Sequence, residues 1–205
     1  GLYVALIWTL LSLAAGWAIG PWVFAAAVFG LALAWAYSAP PLRLKNNGWW
    51  GNAACGLCYE GLAWITGAAV MAGGAPSLAS LILAALYSAG AHGIMTLNDF
   101  KSIEGDARMG VGSLPVQLGP RRAAQVACWV MAVPQVAVIG LLLDWGQPWH
   151  AAGVTALLAV QVLMMRRFVA KPRERALWYS GFGVPLFVLG MLVSAFALHA
   201  VEAAG

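Results

Sequence analysis

Seven apolar stretches, each about long enough to cross a bilayer, leave this chain few choices of fold. They cover residues 2–19, 22–38, 52–72, 77–97, 121–143, 150–168 and 176–199. A helix needs about 20 apolar residues to span the hydrocarbon core. The chain is 62% hydrophobic and only 9% charged, whereas soluble domains carry about 25% charged residues. Pro and Gly interrupt any alternating strand pattern, and lipid tolerates no open sheet edge, so the spans are read as helices. They are too many and too long to be signal peptides. The expectation is an all-α membrane protein of about seven transmembrane helices. Turn chemistry marks the breaks at Gly20-Pro21, Gly73-Gly74-Ala75-Pro76, Gly119-Pro120 and Gly146-Gln147-Pro148. No repeat or polar linker divides the chain, so residues 1–205 are read as one transmembrane domain.

Charge gives the spans an orientation. All 11 Lys and Arg residues fall in alternate connections: Arg43 and Lys45, then Lys101, Arg108, Arg121 and Arg122, then Arg166, Arg167, Lys171, Arg173 and Arg175. The positive-inside rule makes that side cytoplasmic. The net charge of +4 therefore reflects topology, and nothing calls for a nucleic-acid partner. Trp22, Trp145 and Trp149 fall at the opposite interface, with Trp49, Trp50 and Trp178 at the cytoplasmic one, as an aromatic belt requires.

Against this hydrocarbon background the segment Asn98-Asp99-Phe100-Lys101-Ser102-Ile103-Glu104-Gly105-Asp106 stands out. It holds three of the chain's seven carboxylates and a lysine. Mg²⁺ prefers carboxylate and phosphate oxygens, so the segment reads as a site for a divalent metal and a phosphorylated ligand. If the fourth span continues as a helix, Asp99 and Asp106 return to nearly one face, at about 100° per residue. Glu104 falls about 140° away from Asp99 and is the weaker ligand. Lys101 and Arg108 are placed to hold diphosphate oxygens. The segment Tyr37-Ser38-Ala39-Pro40-Pro41-Leu42-Arg43-Leu44-Lys45 closes the second span with a diproline turn. It directs Arg43 and Lys45 toward the acids. Without a ligand, the same residues would read as a solvated loop and ordinary positive-inside flanks.

In these two segments, in Asn47-Gly48-Trp49-Trp50-Gly51-Asn52 and in Gly112-Ser113-Leu114-Pro115-Val116-Gln117-Leu118-Gly119, the chain resembles the UbiA superfamily of intramembrane prenyltransferases. Within it the chain is similar to the chlorophyll and bacteriochlorophyll synthase branch. Asn98 before the aspartate and the run 111–119 lean toward the bacterial side of that branch. The resemblance implies nine helices around a cavity open to the bilayer, with two aspartate-rich motifs holding Mg²⁺-diphosphate. Only the second motif is present, with Ser102 where much of the superfamily has a middle aspartate. Together with a first residue of Gly1, this leads us to expect about two further N-terminal helices, and no turnover by these 205 residues alone.

The implied reaction joins the propionate of (bacterio)chlorophyllide to geranylgeranyl or phytyl diphosphate at the membrane surface. Asp99, Asp106 and Lys101 are the implied catalytic groups, with Mg²⁺ on Asp99 and Asp106. Tyr37, Arg43, Lys45, Asn98 and Arg108 are the implied substrate-binding groups. The implied location is a bacterial inner, photosynthetic membrane. Other pigment-biosynthesis or photosystem assembly proteins are the candidate protein partners.

Glu60 and His92 have two readings each. Glu60 falls about 13 Å into the third span at 1.5 Å per residue. An intramembrane carboxylate is a functional candidate by default, here for orienting a chlorin carbonyl; the alternative is a protonated acid tying helices together. His92 precedes Asp99 by two turns and is a candidate for the cavity wall or the pigment's magnesium, or a packing histidine. Cys55 and Cys58 form a lone CxxC in an apolar helix, which reads as small-residue packing. Two rivals remain. Another intramembrane prenyltransferase, acting on an aromatic acid or a haem, would need a different second motif. A transporter or pigment carrier would spread acids through the spans, where only Glu60 is found.

Overall fold

In the computed structural model, which describes residues 1–204, the chain is helical almost throughout. The helices are α1 (Leu2–Ile19), α2 (Pro21–Ser38), α3 (Gly48–Gly56), α4 (Ala63–Ala72), α5 (Leu78–Asp99), α6 (Ile103–Arg108), α7 (Leu114–Leu118), α8 (Pro120–Asp144), α9 (Pro148–Ala170) and α10 (Pro172–Ala204). A π-helical turn, Leu57–Leu62, joins α3 to α4, and a short 3₁₀ turn, Leu44–Asn46, precedes α3. Seven helical spans are long and apolar enough to cross a membrane, the α3–α4 unit counting as one. The protein is an integral membrane protein.

The helices outrun the sequence expectation at their starts. Pro21, Pro120, Pro148 and Pro172 each open a helix. Proline has no N–H to lose at that position, and its φ is already helical. Pro21, Pro120 and Pro148, read as parts of breaks, are therefore the first residues of helices. The third span starts at Gly48, where the Asn47 side chain accepts from the Trp49 and Trp50 amides.

Helices α5, α8, α9 and α10 form the packed body. Leu83, Tyr87, Met131, Val138, Leu142, Val154, Phe168, Tyr179 and Phe187 are essentially inaccessible. Close approach comes from small residues: a Cβ on Gly93 would lie 2.5 Å from the Ala127 carbonyl oxygen across the α5–α8 contact. Buried amides and hydroxyls clasp the helices. Gln135 donates to Gln161 at 2.7 Å, Gln161 donates to the Gly183 carbonyl at 2.9 Å, and the Tyr87 hydroxyl donates to Ser194 Oγ at 2.7 Å, the Ser194 proton going to the Gly190 carbonyl. Helices α1 and α2 form a thinner hairpin, tied by Trp35 Nε1 donating to Thr9 Oγ1 at 3.2 Å. Most of α1 is exposed, as a lipid-facing helix should be.

Candidate functional site

An apolar cavity of about 750 Å³ lies between α1, α2 and the α3–α4 unit. Ala26, Gly30, Ala34, Ala54 and Ala63 form much of its wall, and such small side chains leave space between the helices. Tyr37, Ser38 and Cys55 line it toward the end where the charged loops gather. The Tyr37 hydroxyl lies beside the Cys55 thiol. Tyr37 thus stands at the mouth between cavity and loops. Cys55 and Cys58 are unbridged and face the cavity, so the packing expected of them is packing at a cavity wall.

The acidic segment is not one helix. Helix α5 stops at Asp99, and α6 begins only at Ile103. The expectation that Asp99 and Asp106 share a face of a continuing helix is corrected here. Phe100 and Ile103 turn into the core, at 6% and 7% exposure, and Phe100 meets Phe168 edge-on with ring centroids 5.4 Å apart. A serine hydroxyl that bonds the backbone competes with helix continuation. Here Ser102 Oγ lies 3.3 Å from the Asp99 main-chain oxygen and 3.0 Å from Asp106 Oδ2. The two acids are brought together by a turn closed by Ser102.

Asp99 is held from α3. Asn52 Nδ2 donates to Asp99 Oδ2 at 3.2 Å and to Thr96 Oγ1, also at 3.2 Å. The Leu114 backbone N–H lies near the same carboxylate. Leu114 is delivered by a pairing of two loops. The Gly48 N–H donates to the Gly112 carbonyl at 2.7 Å, and the Gly112 N–H donates to the Asn46 carbonyl at 2.9 Å. Contact requires glycine at 48, because a Cβ there would lie 2.5 Å from the Leu114 nitrogen. The loop bearing Arg43 and Lys45 is thereby joined to the loop that follows the acids.

Asn98, Lys101 and Arg108 are exposed around the turn, as are Arg43 and Lys45. Among the described residues, the two ion pairs are Lys171–Glu174 and Arg173–Glu104, so none of these four cations is committed to a protein carboxylate. Glu104 is turned away to Arg173. No group of three or more His, Cys, Asp or Glu side chains converges as a metal cage among the described residues. Mg²⁺ is commonly held by one or two carboxylates with substrate phosphates and water completing its shell. Asp99 and Asp106 supply hard oxygen donors of that kind, and neither is in an ion pair.

Two expected site residues lie elsewhere. His92 packs under the start of the third span, Nε2 3.2 Å from the Trp49 carbonyl and its ring 5.8 Å from the Trp49 ring. Glu60 sits half-buried on the π turn, where the cavity wall is formed by Cys58, Tyr59 and Leu62. Sequence reasoning missed Asn52, Thr96 and the Leu114 amide. The signal available was one amide side chain at the mouth of an apolar run.

A sequence profile described as the UbiA prenyltransferase family matches residues 1–187. The chain is 57% identical over 202 residues to the bacteriochlorophyll synthase 33 kDa chain of Cereibacter sphaeroides, covering 98% of this chain and 67% of that protein. It is 49% identical to the protein of the same name from Rhodobacter capsulatus, covering 97% of this chain and 66% of that one. It is 40% identical to the chloroplastic chlorophyll synthase of Oryza sativa subsp. japonica, covering 86% and 47%. The chain thus spans about two thirds of the length of its bacterial relatives. A solved structure described by its work on digeranylgeranylglyceryl phosphate synthase superposes with a TM-score of 0.75 at 20% identity, over 96% of this chain and 67% of that one. Fold, motif placement and sequence agree: the chain belongs to the UbiA prenyltransferase family.

Proposed function

We propose that the protein esterifies the propionate of (bacterio)chlorophyllide with a prenyl diphosphate, geranylgeranyl or phytyl, and releases diphosphate. The observation that carries this reading is continuity between acids and cavity. Asn52, bonded to Asp99, and Cys55, in the cavity wall, are three residues apart on α3 and share a helical face. A diphosphate at the acidic turn has an apolar channel for its chain one helical turn away.

In the reaction the bond between the prenyl C1 and the diphosphate oxygen breaks, with the electron pair leaving on diphosphate. A propionate oxygen forms the new bond to C1. The acceptor is already ionised at neutral pH, so no protein base is required. Lys101, Arg108, Lys45 and Arg43 receive the charge that builds on the leaving diphosphate. Asp99 and Asp106 would hold Mg²⁺, which supplies further neutralisation of that charge when bound. The apolar wall keeps water from the allylic cation, and Tyr37 presents a ring and a hydroxyl at the mouth. Asn98 contributes a polar contact at the rim. In this reading the charged loops face the cytoplasm, across a bacterial inner, photosynthetic membrane.

The test is turnover by the intact protein in nanodiscs, with geranylgeranyl diphosphate and a choice of acceptors. Ester formed on bacteriochlorophyllide or chlorophyllide supports the proposal. Alkylation of an aromatic acid or a haem, with no pigment ester, would overturn it.

A further inference from the structure

We propose that Asn52 is a positioning residue that fixes the Asp99 carboxylate for the metal-bound diphosphate, with Thr96 as its anchor. The inference rests on the reading of Asp99 as a metal ligand. It starts from an awkward placement. Asp99 is the last residue of the 22-residue helix α5, where unsatisfied carbonyls make the helix end electronegative. A carboxylate there is repelled by its own helix and, left alone, would swing out to water. The Asn52 side chain keeps it in, with the Leu114 N–H close by.

Asn52 can act in only one orientation. Thr96 Oγ1 donates its proton to the His92 carbonyl at 3.0 Å, so toward Asn52 it can only accept. Ionised Asp99 also only accepts. Both N–H bonds of one amide group are therefore used, and a flipped amide would set oxygen against two acceptors. The cluster is enclosed, with Asn52 8% and Thr96 0% exposed. An ionised carboxylate has about four acceptor sites. The Asn52 bond leaves the others free while holding the group in one place. Leu114 lies near Asp99 on the loop pinned to residues 46–48, so Asp99 sits beside the loop that carries Arg43 and Lys45.

The experiment measures Mn²⁺, as a probe for Mg²⁺, binding to the intact protein by electron paramagnetic resonance titration without substrate. Melting temperature and the Mg²⁺ dependence of turnover are recorded alongside. Supporting partners of metal ligands typically change affinity 10–100-fold when removed. Asn52→Ala should weaken Mn²⁺ by about that factor and shift the midpoint of Mg²⁺ activation in parallel. Thr96→Val, which keeps shape but loses the acceptor, should give a smaller shift in the same direction. Thr96→Ser, which keeps the hydroxyl, should bind as wild type. A purely structural role would lower the melting temperature and leave Mn²⁺ affinity in the folded fraction unchanged. If Asn52→Ala does not fold, Thr96→Val against Thr96→Ser decides. Wild-type Mn²⁺ affinity in Asn52→Ala or Thr96→Val, alongside loss in Asp99→Asn, would overturn the role of Asn52 and leave the metal site standing. Wild-type affinity in Asp99→Asn would remove the metal reading, and the inference with it.

Discussion

The two halves of the bundle are built from similar apolar residues and do opposite things with them. In α5, α8, α9 and α10, large side chains are fully enclosed, and Gln135–Gln161 and Tyr87–Ser194 bond across helices. In α1, α2 and the α3–α4 unit, alanine and glycine faces leave a cavity of about 750 Å³. In lipid, burying an apolar side chain against another helix brings little hydrophobic gain, because the tails are as apolar as leucine. Close approach and cross-helix hydrogen bonds decide which helices lock together, and the small-residue faces of α2 and the α3–α4 unit keep a void between them. The acidic turn lies at the seam, with Phe100 packed against Phe168 on one side and Asp99 tied to α3 on the other.

The sharpest way to break this contrast is at the seam. Asp99→Asn or Asp106→Asn in the intact protein should cut turnover roughly a hundredfold to a thousandfold, the usual cost of losing one group that stabilises developing charge. The melting temperature should barely move, and removal of divalent metal with EDTA should silence the wild type. Retained turnover would make the acidic turn a structural feature only.

In the packed half, Gly93→Val should cost about 1–3 kcal/mol, typical of overpacking. Its added atoms meet the Ala127 backbone, which cannot move aside as a side chain can. Thermal unfolding would show the loss, while the folded fraction keeps its KM for both substrates. Wild-type stability would mean that α5 and α8 are looser than described.

A large side chain in the open half should do the reverse. Cys58→Trp projects into existing space, so stability should hold. The KM for prenyl diphosphate should rise about tenfold, the equivalent of about 1.4 kcal/mol of lost binding. An unchanged KM would place the prenyl chain elsewhere. The smallest effect is expected at Glu60, half-buried on the π turn. Glu60→Gln should change acceptor KM a few-fold and leave the donor KM alone. A lowered melting temperature with unchanged acceptor kinetics would assign Glu60 to holding helices together.

Much of the fold was legible because span length and charge placement are local properties. The segments 2–19 and 22–38 match α1 and α2 to within one residue. The acidic segment was legible for the same reason, as charge concentrated where the chain had little. The path of the chain through that segment was not. Helical periodicity put Asp99 and Asp106 on one face, while the structure joins them by a turn. Periodicity assumes that the helix continues, and burial of Phe100 and Ile103 stopped it. The π turn at residues 57–62 gave no comparable signal, although it changes the register of the residues after it and so the setting of Glu60.

By itself, then, the sequence determined the helical spans and the clustering of acids and cations on one side. Each depends only on composition within a window of one span or one loop. The tertiary structure decided which half packs and which stays open, that His92 lies under Trp49, and that Asn52 bonds Asp99 across 47 positions of sequence. Those outcomes depend on which faces of distant helices approach closely. In a membrane those faces are nearly equal in hydropathy, so shape and a few buried hydrogen bonds choose among them.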